Sequence, residues 1–244
     1  MTFTHLEDAL QEGQIESYLE LFNHLQEPTR TVLGYTLDVA SFLNLRGLRE
    51  EYSVFGGYAV LSHLMHTYGP GIAKIWRGST DIDMAGTKKV LTALKSGYDF
   101  HSDSKSSNVP DKRTLKLELN GETECKIDFS EGDFFEKYGV PRQNIHFGVP
   151  LMVVDPERLI RGKLLTPLSE SQHAGDILGM LSVLEKIGQT PEQISTFFLG
   201  QDRSRLLQRL DYAEEEFQRD RLGFFPSEDF LRELKKNLSK RIVH

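Results

Sequence analysis

The sequence predicts a protein of mixed α and β structure, a mixed sheet with flanking helices followed by a helical carboxyl-terminal half. Three observations carry this. Leu115-Lys116-Leu117-Glu118-Leu119 and Cys125-Lys126-Ile127-Asp128-Phe129 alternate apolar and polar residues, the period of a strand with one face buried. The short run Tyr52-Ser53-Val54-Phe55 stops at Gly56-Gly57, after which Tyr58 to Met65 has the character of a helix. Beyond Asp155-Pro156-Glu157, which opens a helix, the pattern is almost wholly helical. Pattern alone leaves the α+β and α/β classes open, and it sets a soft boundary near Val154, with a core over 1–154 and a helical region over 155–244.

Each element has its own signal. Leu6, Leu10, Ile15, Leu19 and Leu21-Phe22 recur at helical spacing, and Val32, Leu33, Leu37, Phe42 and Leu45 do so after Pro28, which predicts two leading helices. The helix that starts at Gly56-Gly57 ends at Gly69-Pro70-Gly71. Ile75 to Met84 reads as a strand pair or a bent strand, and Lys88 to Lys95 as a helix closed by Gly97. Tyr98 to His101 is extended, Ser102 to Lys112 is a polar loop, and Asn120-Gly121 is a hairpin turn. Pro150 to Val154 is a further strand.

At 244 residues, with 39% hydrophobic and 27% charged side chains, the chain can bury a core and is neither fibrous nor disordered in composition. No apolar stretch approaches the roughly 18 residues of a membrane helix, so no membrane partner is expected. The amino terminus lacks a basic start and an apolar run, and a single cysteine cannot form an internal disulfide, which makes a cytoplasmic setting the expectation. Net charge is −7, so a nucleic acid would need a local basic patch; Arg232, Lys235, Lys236, Lys240 and Arg241 near the carboxyl end are such a cluster. That cluster also fits the solvated face of a terminal helix.

The chemistry concentrates in Arg77-Gly78-Ser79-Thr80-Asp81-Ile82-Asp83-Met84. Carboxylates at i and i+2 on a strand share a face, about 7 Å apart. Like charges so placed repel unless a cation lies between them, so Asp81 and Asp83 are candidate ligands for a divalent ion. Upstream, Gly56-Gly57 leaves bare backbone N–H groups at the mouth of a helix, where a phosphate can be received. His63 and His66 are three residues apart on that helix with no third ligand nearby, and read as structural.

These residues resemble the nucleotidyltransferase superfamily, whose signature is a glycine turn and helix, a strand bearing Asp-x-Asp, and a third carboxylate on a neighbouring strand. Phe55-Gly56-Gly57-Tyr58-Ala59, Asp81-Ile82-Asp83 and Ile127-Asp128-Phe129 match it in order. Arg77-x-Ser79-x-Asp81-Ile82-Asp83 looks like the AbiEii/AbiGii toxin branch, which includes the MenT-type toxins. Val153 to Leu164 and His173-Ala174-Gly175-Asp176-Ile177 resemble the branch's later segments, with Lys163 and Asp176 at the matching positions and His173 where a basic residue is usual. The likeness covers roughly residues 50 to 190.

The resemblance implies a nucleotidyltransferase fold and transfer of a nucleoside monophosphate from an NTP to an acceptor hydroxyl, with Mg²⁺ or Mn²⁺ held by Asp81, Asp83 and Asp128. Asp128 would complete a metal's ligands or accept the hydroxyl proton. Gly56, Gly57 and Ser79 would contact phosphates, and Arg77 and Lys163 would offset their charge. Asp176 would orient Lys163 or touch the nucleotide, and the helical region would complete the cleft. The implied acceptor is the 3′ end of tRNA or another RNA, in a toxin–antitoxin pair with a cognate antitoxin. Two alternatives stand beside this: a catalytically silent nucleotide-binding or interaction module of the same fold, and nucleotidylation of a protein or small molecule.

Overall fold

A computed structural model of the chain describes residues 4–10, 12–76, 79–105, 112–119, 122–132, 139–166, 171–216 and 225–240. Its contacts group into two compact units, Met1–Asp155 and Pro156–His244. Among the described residues no helix is long and apolar enough to cross a membrane.

The first unit is built on a mixed sheet. Its strands are β1 (Tyr52–Phe55), β2 (Asp81–Gly86), β3 (Phe100–Lys105), β4 (Lys112–Leu119), β5 (Glu122–Glu131), β6 (Arg142–His146) and β7 (Val149–Val153). They lie in the order β3-β4-β5-β2-β1-β7-β6. β2 runs parallel to β5, and β1 parallel to β7; the other neighbours are antiparallel. The chain is therefore α+β, as its pattern allows. In β1, Tyr52, Ser53 and Val54 are buried in succession, so both faces of the sheet are covered there.

Helices α1 (Thr4–Ala9), α2 (Glu12–His24) and α3 (Thr29–Leu45) precede β1, three among the described residues where the spacing suggests two. α3 is buried along nearly its whole length, with Leu33, Leu37, Val39 and Leu43 fully enclosed. The buried carboxylate of Asp38 on α3 accepts hydrogen bonds from the backbone N–H groups of His5 and Leu6 (both 2.8 Å) and from the Tyr98 hydroxyl (2.7 Å). It thereby satisfies donors at the start of α1.

α4 (Gly56–Tyr68) links β1 to a 3₁₀ turn at Pro70–Lys74. The strand expected from Ile75 begins only at Asp81, because Pro70 at the head of the turn tightens the chain instead of extending it. α5 (Lys88–Gly97) follows β2. The polar loop expected from Ser102 is narrower: β3 runs on to Lys105 and β4 begins at Lys112, since pairing of Ser102–Lys105 with Arg113–Lys116 outweighs their polar composition. Asn120-Gly121 lies outside the described residues, although Leu119 pairs with Glu122 on either side of it.

The second unit contains α6 (Pro156–Leu164), α7 (Ser171–Lys186), α8 (Pro191–Phe197), α9 (Gly200–Glu216) and α10 (Glu228–Ser239). α8 opens on a capping box, with Thr190 accepting from Gln193 N–H and the Gln193 side chain accepting from Thr190 N–H. Ser227 caps α10.

Candidate active site

Three neighbouring strands bring the predicted carboxylates to one place. β1 ends at Phe55, and Phe55 pairs with Asp83 across the antiparallel β1–β2 ladder. Across the parallel β2–β5 ladder, Asp83 pairs with Asp128 and Asp81 with Lys126. Paired residues of adjacent strands share a face of the sheet, so Asp83 and Asp128 stand side by side, with Asp81 and Lys126 one step along the same face.

The chain leaves β1 through Gly56 at φ +69°, a conformation that side chains disfavour. Space forbids a side chain there as well, because a Cβ on Gly56 would lie 1.9 Å from Asp83 Oδ2. The glycine thus lets the Asp83 carboxylate rest against the opening of α4. No side chain caps that helix, and Gly57 is buried in its first turn. The backbone N–H groups that open α4 point where an anion, or the oxygens of a cation's ligand shell, would be received.

Asp128 is held by two side-chain donors. Thr114 Oγ1 on β4 donates to Oδ1 at 2.8 Å, and Lys126 Nζ donates to Oδ2 at 2.9 Å. The same ammonium lies 3.6 Å from Asp81 Oδ2. The Asp128 side chain is 8% exposed, against 31% for Asp81. Burial by itself would lower the Lys126 pKa, but the hydrogen bond and charge of Asp128, with the charge of Asp81, raise it above the ordinary lysine value. Lys126 and Thr114 are site residues that motif matching passes over. The period-two alternation of Cys125 to Phe129 does put Lys126 on the face of Asp128, and that was the available signal.

Ser79 turns back on the strand, its Oγ donating to the Asp81 carbonyl at 3.1 Å with Asp81 Oδ1 at 3.5 Å. Arg77 lies outside the described residues. Lys163 and Asp176 belong to the second unit, on α6 and α7, where Lys163 Nζ meets Asp176 Oδ2 at 2.7 Å. Their side chains are 12% and 0% exposed, and His173 Nδ1 stands 3.8 Å from the same oxygen. Of the two roles open to Asp176, orienting Lys163 is the one this contact provides.

The donor set suits a hard divalent cation, being carboxylate oxygens at a partly open sheet face, and an ammonium already sits among them as a cation of this chain's own. Among the described residues, however, no three His, Cys, Asp or Glu side chains gather into a ready ligand set. The three carboxylates expected to share metal are neighbours that do not converge, because Asp128 is turned to Thr114 and Lys126.

A second polar cluster lies further along α4. His63 Nε2 is 2.8 Å from the Val154 carbonyl, which can only accept, so the ring proton is on Nε2 and Nδ1 is an acceptor for Asn144 Nδ2 at 3.3 Å. Asn144 Nδ2 also donates to Ser62 Oγ at 2.9 Å, and Ser62 Oγ is hydrogen-bonded to His146 Nε2 at 2.7 Å. Both rings are neutral in this arrangement. Burial lowers the His63 pKa to about 4, despite the Val154 hydrogen bond, and that of His146 to about 3. His63 is thus structural, and His66 is exposed.

No family model matches the chain, and no curated protein matches it. Solved structures are similar to it at low identity. An antigenic nucleotidyltransferase-like protein from Paracoccidioides brasiliensis is 16% identical with a TM-score of 0.45, over 78% of this chain and 93% of that one. ANT(2″)-Ia in complex with adenylyl-2″-tobramycin is 13% identical with a TM-score of 0.45, over 78% of this chain and 99% of that one. The solution structure of the antibiotic-resistance factor ANT(2″)-Ia is 15% identical with a TM-score of 0.44, over 78% and 97%. These likenesses are loose, and the functional reading rests on the residues of the site.

Proposed function

We propose that the protein is a metal-dependent nucleotidyltransferase that moves a nucleoside monophosphate from an NTP to an acceptor hydroxyl. The observation that carries this reading is the placement of Asp81 and Asp83 on β2, with Asp83 against the glycine that opens α4 and in register with Asp128 on β5. A structural role explains this poorly, since three carboxylates on one sheet face repel one another and stabilise nothing by themselves. Asp81 and Asp83 would hold Mg²⁺ or Mn²⁺, which supplies positive charge to the triphosphate and the attacking oxygen.

The chain's own groups do the rest. The first N–H groups of α4, unblocked at Gly56 and Gly57, bind phosphate oxygens and position the α-phosphorus. The acceptor oxygen forms a bond to that phosphorus as the bond to the β-phosphate breaks. Pyrophosphate leaves with the electron pair, and the hydroxyl proton passes to a carboxylate of the cluster or to water. Arg77, four residues before Asp81, offsets charge that builds on the departing pyrophosphate. A tRNA 3′ end as acceptor, and a toxin role with a cognate antitoxin, rest on the sequence resemblance of Arg77 to Asp83 and of the segments around Lys163 and Asp176.

Incubation with each α-labelled NTP and Mg²⁺, in separate mixtures with total RNA, with protein and with small hydroxyl compounds, tests the reading. Label is expected in one acceptor pool and absent with Asp83→Asn. Binding of NTP without transfer to any pool would replace it with a silent nucleotide-binding module.

A further inference from the structure

We propose that Arg209 is a positioning residue for Lys163, locking the carboxyl end of α6 so that the Lys163 ammonium stays on Asp176. This rests on the reading of Lys163 as a group that offsets phosphate charge. All of these residues belong to the helical unit. Arg209 is out of keeping with its place on α9. Leu206, Leu210 and Ala213, on the same stripe of that helix, are buried, and Arg209 is 2% exposed beside them. An apolar side chain would pack there without the cost of desolvating a charge, so packing alone does not account for an arginine.

What the guanidinium adds is directed donors. Its Nη2 donates to the Thr166 carbonyl at 2.6 Å and to Thr166 Oγ1 at 3.2 Å. Thr166 follows the last turn of α6, and its own hydroxyl donates to the Lys163 carbonyl at 2.7 Å, with its N–H 3.4 Å from the same oxygen. The last carbonyls of a helix have no partner inside it, and Thr166 supplies one at the residue that carries the ammonium. Lys163 is therefore fixed twice, at its carbonyl by Thr166 and at Nζ by Asp176 at 2.7 Å. Arg209 holds the first of these ties from 46 residues downstream. α6 also meets α9 through the more exposed pair Arg161 and Asp202, at 3.0 Å, which does not involve Thr166.

Acetylation of the full chain by acetic anhydride, read lysine by lysine by mass spectrometry, tests this without a substrate, because an ammonium held on a carboxylate reacts slowly. Thr166→Val removes the linking hydroxyl, and Arg209→Lys keeps the charge but loses the fork; each is expected to raise the Lys163 rate about fivefold or more. The internal reference is Lys235, held at 2.6 Å by Asp211 on α9, whose rate should stay within about twofold. Asp202→Asn, which cuts the more exposed tie, should leave both rates unchanged. If circular dichroism shows Arg209→Lys unfolded, Thr166→Val decides. Labelled-NTP turnover should fall about tenfold in Arg209→Lys and no further when Lys163→Ala is already present. A Lys163 rate that neither variant moves overturns the positioning role. So does a Lys235 rate that rises alongside it, since Arg209 would then hold the whole unit together, and so does a further fall in turnover on the Lys163→Ala background. Full turnover in Lys163→Ala, with the acetylation rates as expected, overturns the catalytic use of Lys163 and leaves its positioning by Arg209 in place.

Discussion

The first unit holds two polar clusters beside the same helix, and they solve opposite problems. At the opening of α4, Asp81, Asp83 and Asp128 place like charges together at a partly open face, with the Lys126 ammonium between Asp128 and Asp81. Along the middle of α4, Ser62, His63, Asn144 and His146 form a buried network of neutral groups linked by hydrogen bonds. The sealed network holds α4 to β6 and gains from being closed. The open one carries unbalanced charge, which is unfavourable for folding and useful only when something is bound. Polar groups of similar number, gathered beside one helix, thus differ in whether they close on one another or stay open to a partner.

Substitutions should break along that line. The largest effect is expected from Asp83→Asn, which should lower nucleotidyl transfer by about a thousandfold or more, while the thermal midpoint in metal-free buffer holds or rises. Labelled-NTP turnover and a melting curve check both halves. A marked loss of stability without metal would move Asp83 to the structural side of the comparison.

Lys163→Ala sharpens the comparison with a pair that has features of both clusters, charged yet closed. Turnover should fall by roughly tenfold to a thousandfold. The sequence alone suggests little change in stability, but the contact with a wholly buried Asp176 points to a loss: removing the ammonium from that carboxylate should cost about 3 kcal/mol. Adding Asp176→Asn should return part of the stability and none of the turnover. Equal stability of the single and double variants in urea would show that the pair is not coupled.

Acid separates the clusters without mutation. His63 and His146 have folded pKa values lowered to about 4 and about 3, against about 6.5 in the unfolded chain. Between those limits the unfolded state binds more protons, so stability is full above about pH 6.5 and falls as pH drops toward 4 and then 3. Each histidine contributes up to about 1.4 kcal/mol per pH unit inside its window. Urea unfolding from pH 7.5 to pH 4.5 measures the slope, and a flat profile would mean that the rings are not held neutral.

The smallest effect is expected from Ser62→Ala, which removes the hydroxyl between Asn144 and His146 and should cost about 1–2 kcal/mol. Turnover per folded molecule should stay within about twofold of wild type. A large loss of turnover at full folding would join the two clusters functionally.

How much of this is legible in the sequence depends on whether polarity and burial agree. β5 shows itself because Ile127 and Phe129 are inside and alternate with polar residues. β6 hides because its pattern is inverted: Asn144 and His146 are buried while Gln143 and Ile145 are exposed, so alternation points to the wrong face. The site follows the same rule. Asp81 and Asp83 are recognisable by spacing on one strand, and the resemblance adds Asp128, but register between distant strands decides that Lys126 lies across from Asp81. No local signal specifies that pairing. Likewise, the contact of Asp176 with Lys163 needed the approach of α6 to α7. Arg77 lies outside the described residues.

The Asp38 carboxylate has a consequence for the order of synthesis. Its partners are His5 and Leu6 on one side and Tyr98 on the other, the last 60 residues downstream of Asp38. A ribosome therefore delivers α1 long before the hydroxyl that completes the junction. Until Tyr98 has been made, the Asp38 carboxylate lacks the hydroxyl donor it has in the finished fold, so this junction closes only when chain from both sides of β1, α4 and β2 has come together.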